Sequence, residues 1–171
     1  MSLAAPIARK YLFHMVDANF KQLTTEDGVP PTGTNYVRLG KHLEQYQEDM
    51  NPQVNVVNNI LGEQVVLHTG YQVSSTAEPY YAIKGDALWE KVQYIANNRI
   101  TGDGCETTRI DGLMDEDGNV EWAYMESCLI IPQSLGGDTS GVQAPFQVQN
   151  NGNRHRVNFN MNTKTASKYT P

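Results

Sequence analysis

The sequence predicts a mainly β chain of the α+β kind, an antiparallel β-sandwich or partial barrel flanked by one amphipathic α-helix over about residues 86–98. Two observations carry this. Only one long segment repeats its apolar residues at helical spacing, and the segments on both sides of it alternate apolar with polar residues between Gly, Pro and Asn turn signals. A length of 171 residues suits one domain, 1–171, able to bury a core without disulfide or metal staples.

The helix is the reference point. Leu88, Val92 and Ile95, with Trp89 and Ala96 beside them, fall on one face. Asp86 is suited to the N-cap, where its carboxylate accepts from unpaired backbone N–H groups at the positive end of the helix dipole. Asn97, Asn98 and then Gly102 are the stop signals. About three turns cannot bury Trp89 and Val92 alone, so this face requires a sheet beneath it.

In order along the chain, residues 10–16 (KYLFHMV) are apolar enough for a first strand, although they do not alternate cleanly. Residues 17–35 are polar, with Asp27-Gly28, Pro30-Pro31 and Gly33, and read as a long loop. A loop of that length is either an arm that reaches a neighbouring subunit or a mobile surface segment. Residues 36–39 suit a short strand, and 41–50 have no decisive pattern. Residues 54–60 and 64–75 read as two strands, the second with Val65, Leu67, Thr69, Tyr71 and Val73 on one face. After the helix, 107–114 and 120–131 form a hairpin across Asp115-Glu116-Asp117-Gly118-Asn119, and Trp122, Tyr124, Cys128 and Ile130 share a face of the longer strand. Val142, Ala144, Phe146 and Val148 alternate with polar residues, Asn151-Gly152 signals a second hairpin, and His155, Val157, Phe159 and Met161 line one face of the return strand. A polar tail, 163–171, is expected to be loose.

Composition excludes several function classes. A net charge of −6, with 13 Lys and Arg dispersed along the chain, argues against a surface built to grip phosphate backbones. No stretch approaches the roughly 20 apolar residues of a membrane helix, and the N-terminus lacks a secretory pattern, so a soluble protein made in the cytosol is expected. Cys105 and Cys128 are therefore read as free thiols, and Cys128 as a packed residue. His14, His42, His68 and His155 show no metal-ligand spacing. The acidic turn from Asp115 is not a calcium loop, because Leu113 and Tyr124 occupy ligand positions. Gly102-Asp103-Gly104 follows a helix and is a turn, not a phosphate cradle. No catalytic, metal or cofactor site is expected, and no enzyme.

One feature is unusual for a soluble sheet. Several strands carry Gln, Asn, Ser and Thr opposite their apolar face where Lys and Glu are common. Such a face suits a wetted interior or a subunit junction, or an exposed surface with an amide bias.

The layout, from KYLFHMVDAN through GDALWEKVQYIANNR and MDEDGNVEW to FQVQNNGNRHRVNFN, resembles that of the major tail proteins, or tail tube proteins, of long-tailed bacteriophages. That family is similar in fold to the tube proteins of contractile tails and of type VI secretion. The resemblance implies a homo-oligomer in which six subunits form a ring, close a continuous β-barrel around a channel and stack into the conduit for genome ejection. It implies tape measure, tail terminator and tail tip or initiator proteins as partners, duplex DNA passing through the lumen without specific binding, no membrane partner, and a place in the virion after assembly in the host cytoplasm. On this reading Gln72, Gln147, Asn158 and Asn160 face the lumen. Thr24, Glu26, Asp27, Pro30, Pro31 and Thr34 belong to an inter-ring or inter-subunit loop, and Leu88, Trp89, Val92 and Ile95 to the core helix. The chain ends at Pro171 without the immunoglobulin-like domain many relatives carry, so no adhesion role is expected. The competing reading is a monomeric β-sandwich module that binds carbohydrate or protein through Tyr80, Tyr81 and Trp122.

Overall fold

The structure is a computed structural model that describes residues 4–41 and 43–171. Its strands are β1 (Leu12–Asp17), β2 (Tyr36–Arg38), β3 (Glu48–Asp49), β4 (Pro52–Asn58), β5 (Gln64–Tyr71) and β6 (Ser74–Ala77), followed after helix α1 (Ala87–Asn98) by β7 (Glu106–Met114), β8 (Val120–Pro132), β9 (Gly136–Asp138), β10 (Gly141–Gln143), β11 (Phe146–Asn150), β12 (His155–Asn160) and β13 (Thr165–Lys168). The predicted class holds: the fold is mainly β, antiparallel and sandwich-like, with one helix, and it does not close into a barrel.

Among the described residues nine strands form one sheet, in the order β2-β1-β7-β8-β11-β6-β3, with β12 also on β8 and β13 on β12. The 13-residue strand β8 is its spine, and its two faces feed two cores. Cys128 and Ile130 point to one face, where Val16, Phe146 and Val148 pack under α1. Ala123 and Met125 point to the other, with Phe13, Met15, Tyr36, Ile110, Val157 and Phe159. A strand that is buried on alternate faces along its length shows no clean alternation overall, and this explains the irregular pattern of β1 and β8.

The second core also shows that the sheet curls. β1 and β12 are separated by β7 and β8, about 14 Å in a flat sheet at 4.8 Å per strand. Even so, the Phe13 and Phe159 rings stack at 5.7 Å between centroids, and Tyr36 meets Phe159 edge-on at 5.8 Å. Gly112 permits this closure, because a Cβ there would lie 2.4 Å from Phe13 Cζ and 2.7 Å from the Trp122 carbonyl oxygen.

On α1, Leu88, Trp89, Val92 and Ile95 are buried. The Asp86 carboxylate accepts from the Leu88 N–H at 3.1 Å and from the Tyr80 hydroxyl at 3.0 Å. The helix ends earlier than the glycine signal, at Arg99, whose left-handed backbone returns its N–H to the last turn, and Gly102 opens the next short turn instead.

Several expectations are corrected. Asn151-Gly152 does not reverse the chain: β11 pairs with β8 from Pro132 to Cys128 and β12 carries on in the same direction against Met125 to Ala123. Residues 151–154 are thus an interruption in one long edge, held by the Asn151 N–H to the Ser127 carbonyl at 2.8 Å. The segment 64–75 is two strands, of which β5 leaves the body and β6 joins the sheet. The tail from residue 163 is not loose throughout, since β13 pairs with β12 from Asn160↔Thr165 to Val157↔Lys168. His42 lies outside the described residues.

Candidate functional site

The long loop 17–35 is bound to its own chain. The buried Asp17 carboxylate accepts from the backbone N–H groups of Asn19, Lys21 and Asn35 at 3.0, 2.8 and 2.7 Å. The hydroxyls of Thr107 and Thr108 donate to the carbonyls of Asp17 and Lys21, and Asn153 donates to the Thr25 carbonyl at 3.1 Å. Thr24, Glu26 and Asp27 are exposed at its bend, whereas Pro30, Pro31 and Thr34 are half-buried. The loop is thus tied to its own subunit at both ends and at its bend, by the Asp17 acceptor and by the Thr107, Thr108 and Asn153 donors.

The projecting segment is the β4–β5 hairpin. It forms a two-stranded sheet of its own, and every residue in both strands is exposed except the half-buried Gly70. The register sets Val54 against His68, Val56 against Val66 and Val57 against Val65, so valines stand on both faces. Glu63 is the one carboxylate between Pro52 and Tyr71, and no Lys or Arg occurs there. The tip is ordered by its own polar atoms: Asn59 Oδ1 accepts from the Leu61 and Glu63 N–H groups, each at 3.0 Å, while Asn59 Nδ2 donates to Glu63 at 2.8 Å. Ile60 and Leu61 then project from the turn, 103% and 77% exposed. A two-stranded ribbon is marginal alone in water, and apolar side chains on both faces give it no inside.

A second feature is a groove of about 1000 Å³ between residues 9–14 and residues 37–41 and 43–47. Its rim carries Arg9, Lys10, Arg38, Lys41 and Lys164, against Glu44 alone, and its floor includes Leu12, Val37 and Leu43. Five of the 13 Lys and Arg thus meet at one place. The expectation of dispersed cations fails because β1, β2 and the turn before β13 converge there from distant parts of the chain.

Behind the groove lies a buried ion network on the helix-facing side of the sheet. Arg109, 1% exposed, donates to Glu48 in β3, to Asp111 Oδ1 at 2.6 Å and to Asn150 Oδ1 at 2.8 Å. Asp111 Oδ1 also meets His14 Nδ1 at 2.5 Å. Arg9 lies 3.1 Å from His14 Nε2 and donates to the Tyr46 carbonyl at 2.8 Å. A guanidinium can only donate, so Nε2 is the acceptor and Nδ1 carries the hydrogen toward Asp111. Arg154 and Asn150 both donate to Glu126, at 3.1 and 2.8 Å. Burial, together with the nearby Asp111 carboxylate, raises the Glu48 pKa to about 7. Burial also works to raise Asp111, but Arg109 and the bond from His14 outweigh it and hold that carboxyl below its ordinary range. His14, Glu48 and Asp111 offer ligand atoms within 4.8 Å of one another, a spacing able to hold a metal ion. The Arg109 guanidinium already bridges the two carboxylates, however, and a second cation there would face its charge.

The four amide candidates do not form one patch. Asn158 and Asn160 are exposed and share a face of β12. Gln147 is half-buried on the opposite face of the sheet, the one shared with Ile131, and the exposed Gln72 forms the neck of the hairpin, where its N–H donates to the Asn51 carbonyl at 3.2 Å. The aromatic candidates do not form a groove either: Tyr80 is buried against Phe146 at 4.9 Å, and Tyr81 and Trp122 are half-buried. Cys105 and Cys128 are free and buried, and burial raises the Cys128 pKa to about 12. Sequence reasoning missed the network and the arm. Arg109 and Asp111, two charges spaced i, i+2 in the middle of the strand segment TTRIDGLM, were the available signal for the first, and the near absence of charge over 52–71 for the second.

No protein-family model and no curated protein sequence matches this chain. Among solved structures the fold is similar to that of the sheath/tube terminator of an extracellular contractile injection system, PVC, in its extended state, with a TM-score of 0.51 at 10% identity over 91% of this chain and 99% of that one. At that identity the likeness is one of fold alone.

Proposed function

We propose that this chain is a structural subunit of a phage tail or tail-like injection apparatus that assembles with copies of itself into rings, either as the stacked tube or as the ring that terminates it. The observation that carries the reading is the β4–β5 arm, which exposes Val54, Val56, Val57, Val66 and Leu67 on a subunit whose own core is complete without them. Its nearly uncharged ribbon is suited to burial against another protein surface. The fold likeness to an injection-system terminator and the resemblance of layout to tail tube proteins favour a tail as the setting. In such a ring the subunit has a structural and not a catalytic role, its further partners are tape measure, terminator and tip proteins, and its place is the virion after assembly in the host cytoplasm. Asn158 and Asn160, neutral and exposed on one strand face, are the amide pair suited to a channel through which duplex DNA passes without being held.

Light scattering and negative-stain electron microscopy of the purified protein test this. Closed rings or stacked tubes are expected. A species that stays monomeric at every concentration overturns the reading and returns the chain to the class of monomeric binding modules.

A further inference from the structure

We infer that the cationic groove is the receptor for the arm tip of a second copy of this chain. Ile60 and Leu61 stand outward and exposed on a turn held by Asn59, an apolar knob. The groove offers the complement, an apolar floor of Leu12, Val37 and Leu43 under a rim of cations. At about 1000 Å³ it has room for both side chains and the turn that carries them.

Charge selects the occupant. With five cations drawn into the groove beside Glu44, the rest of the chain holds eight Lys and Arg against eighteen Asp and Glu, so another copy presents an acidic body to a basic opening. The tip supplies its own carboxylate, Glu63, next to the knob. Among described residues Lys41 and Lys164 have no carboxylate within 4.0 Å and no side-chain hydrogen bond, so they are available to it. A purely anionic ligand such as a phosphate backbone would leave the apolar floor unused. Because knob and receptor are different surfaces of one chain, the contact is heterologous: each copy gives its tip to one neighbour and takes the tip of another, an arrangement that closes into a ring when the rotation allows.

The inference rests on the self-assembly reading above, and the test separates the two. A tip variant, Ile60→Ser with Leu61→Ser, keeps the groove, and a groove variant, Lys41→Glu with Lys164→Glu, keeps the arm. All four positions are exposed, so each variant should melt with the wild type, which circular dichroism checks. Alone, each should assemble with an apparent Kd raised by about tenfold or more. Mixed in equal amounts, they should give a discrete heterodimer and nothing larger, since only the arm of one and the groove of the other remain. A monomeric wild type overturns both the assembly reading and this inference. A wild type that assembles while both variants also assemble normally, or variants that fail alone and form no heterodimer when mixed, overturns this inference only. So does a groove variant whose single defect is lost, salt-sensitive binding of duplex DNA, which would assign the groove to phosphate.

Discussion

The buried Arg109 and the half-buried Glu48 form an ion pair that ties β3, the last element before the arm, to the middle of the sheet. Asp49 is followed two residues later by the arm's neck, where Asn51 Nδ2 donates to the Gln72 carbonyl at 3.0 Å. The root of the exposed ribbon is therefore held by the polar network together with the pairing of β3 with β6.

Apart from that anchoring, Glu48 makes the stability of the folded chain dependent on pH. The Glu48 carboxyl, raised by burial and by Asp111 from its ordinary 4.5 to about 7, keeps a proton in the folded chain over a window in which the unfolded chain has lost it. Stability therefore falls as pH rises from about 4.5 to about 7. Asp111, whose folded pKa is lowered, acts in the opposite sense and only in stronger acid. Urea midpoints measured at pH 5 and pH 8 should be higher at pH 5, and Glu48→Gln should flatten the difference; a variant with the wild-type slope assigns the pH dependence elsewhere.

The Asp17 carboxylate stands in the same structural relation to the long loop. It satisfies three backbone donors from Asn19, Lys21 and Asn35, and a bond to a charged acceptor contributes roughly 1.5–3 kcal/mol. Asp17→Ala leaves these donors without it and should lower stability by about 3 kcal/mol. Hydrogen exchange should quicken at those three amides before it does in β7 or β8. Unchanged protection at Asn35 would mean that the loop is held by Thr107 and Thr108 instead.

These two carboxylates show what a sequence withholds. The face of α1 was legible because four buried side chains repeat within 12 residues, and the class followed from alternation in segments such as β12. Pairing was not, since Asn151-Gly152 has the same local chemistry whether the next strand turns back or continues along β8. Nor was the network, whose His14 and Asp111 lie 97 residues apart and are brought together only by the β1–β7 register. The arm escaped for another reason. Period-2 rules assign apolar residues to the chain's own core, and the valines of β4 and β5 face none of it.

Gly112 sets the curl of the sheet. The ring of Phe13 can move, but the Trp122 carbonyl oxygen, 2.7 Å from an added Cβ, belongs to the neighbouring strand and cannot move without breaking pairing. Gly112→Ala should thus cost about 1–3 kcal/mol as an overpacking change, with near-ultraviolet dichroism altered through Phe13, Tyr36 and Phe159. Phe13→Leu in the same background should recover only part of the loss. Complete recovery would show that ring crowding, and not the strand carbonyl, is the constraint.

The arm should be separable from the subunit that carries it. Pro52 pairs with Tyr71 at its base, and beyond that pair β4 and β5 bond to each other, with the apolar cores made of other elements. Replacing 53–70 by Asn-Gly supplies a two-residue turn between Pro52 and Tyr71 and leaves Asn51 bonded to Gln72. The shortened chain should unfold within about 1 kcal/mol of wild type, because the deleted ribbon buries almost nothing in its own subunit. It should also be more soluble, having lost its largest set of exposed aliphatic side chains, and it should stay monomeric in light scattering where the wild type assembles. A cooperative loss of stability on deletion would mean that the arm packs into its own subunit in solution. Normal rings from the shortened chain would place the assembly contacts elsewhere on the body.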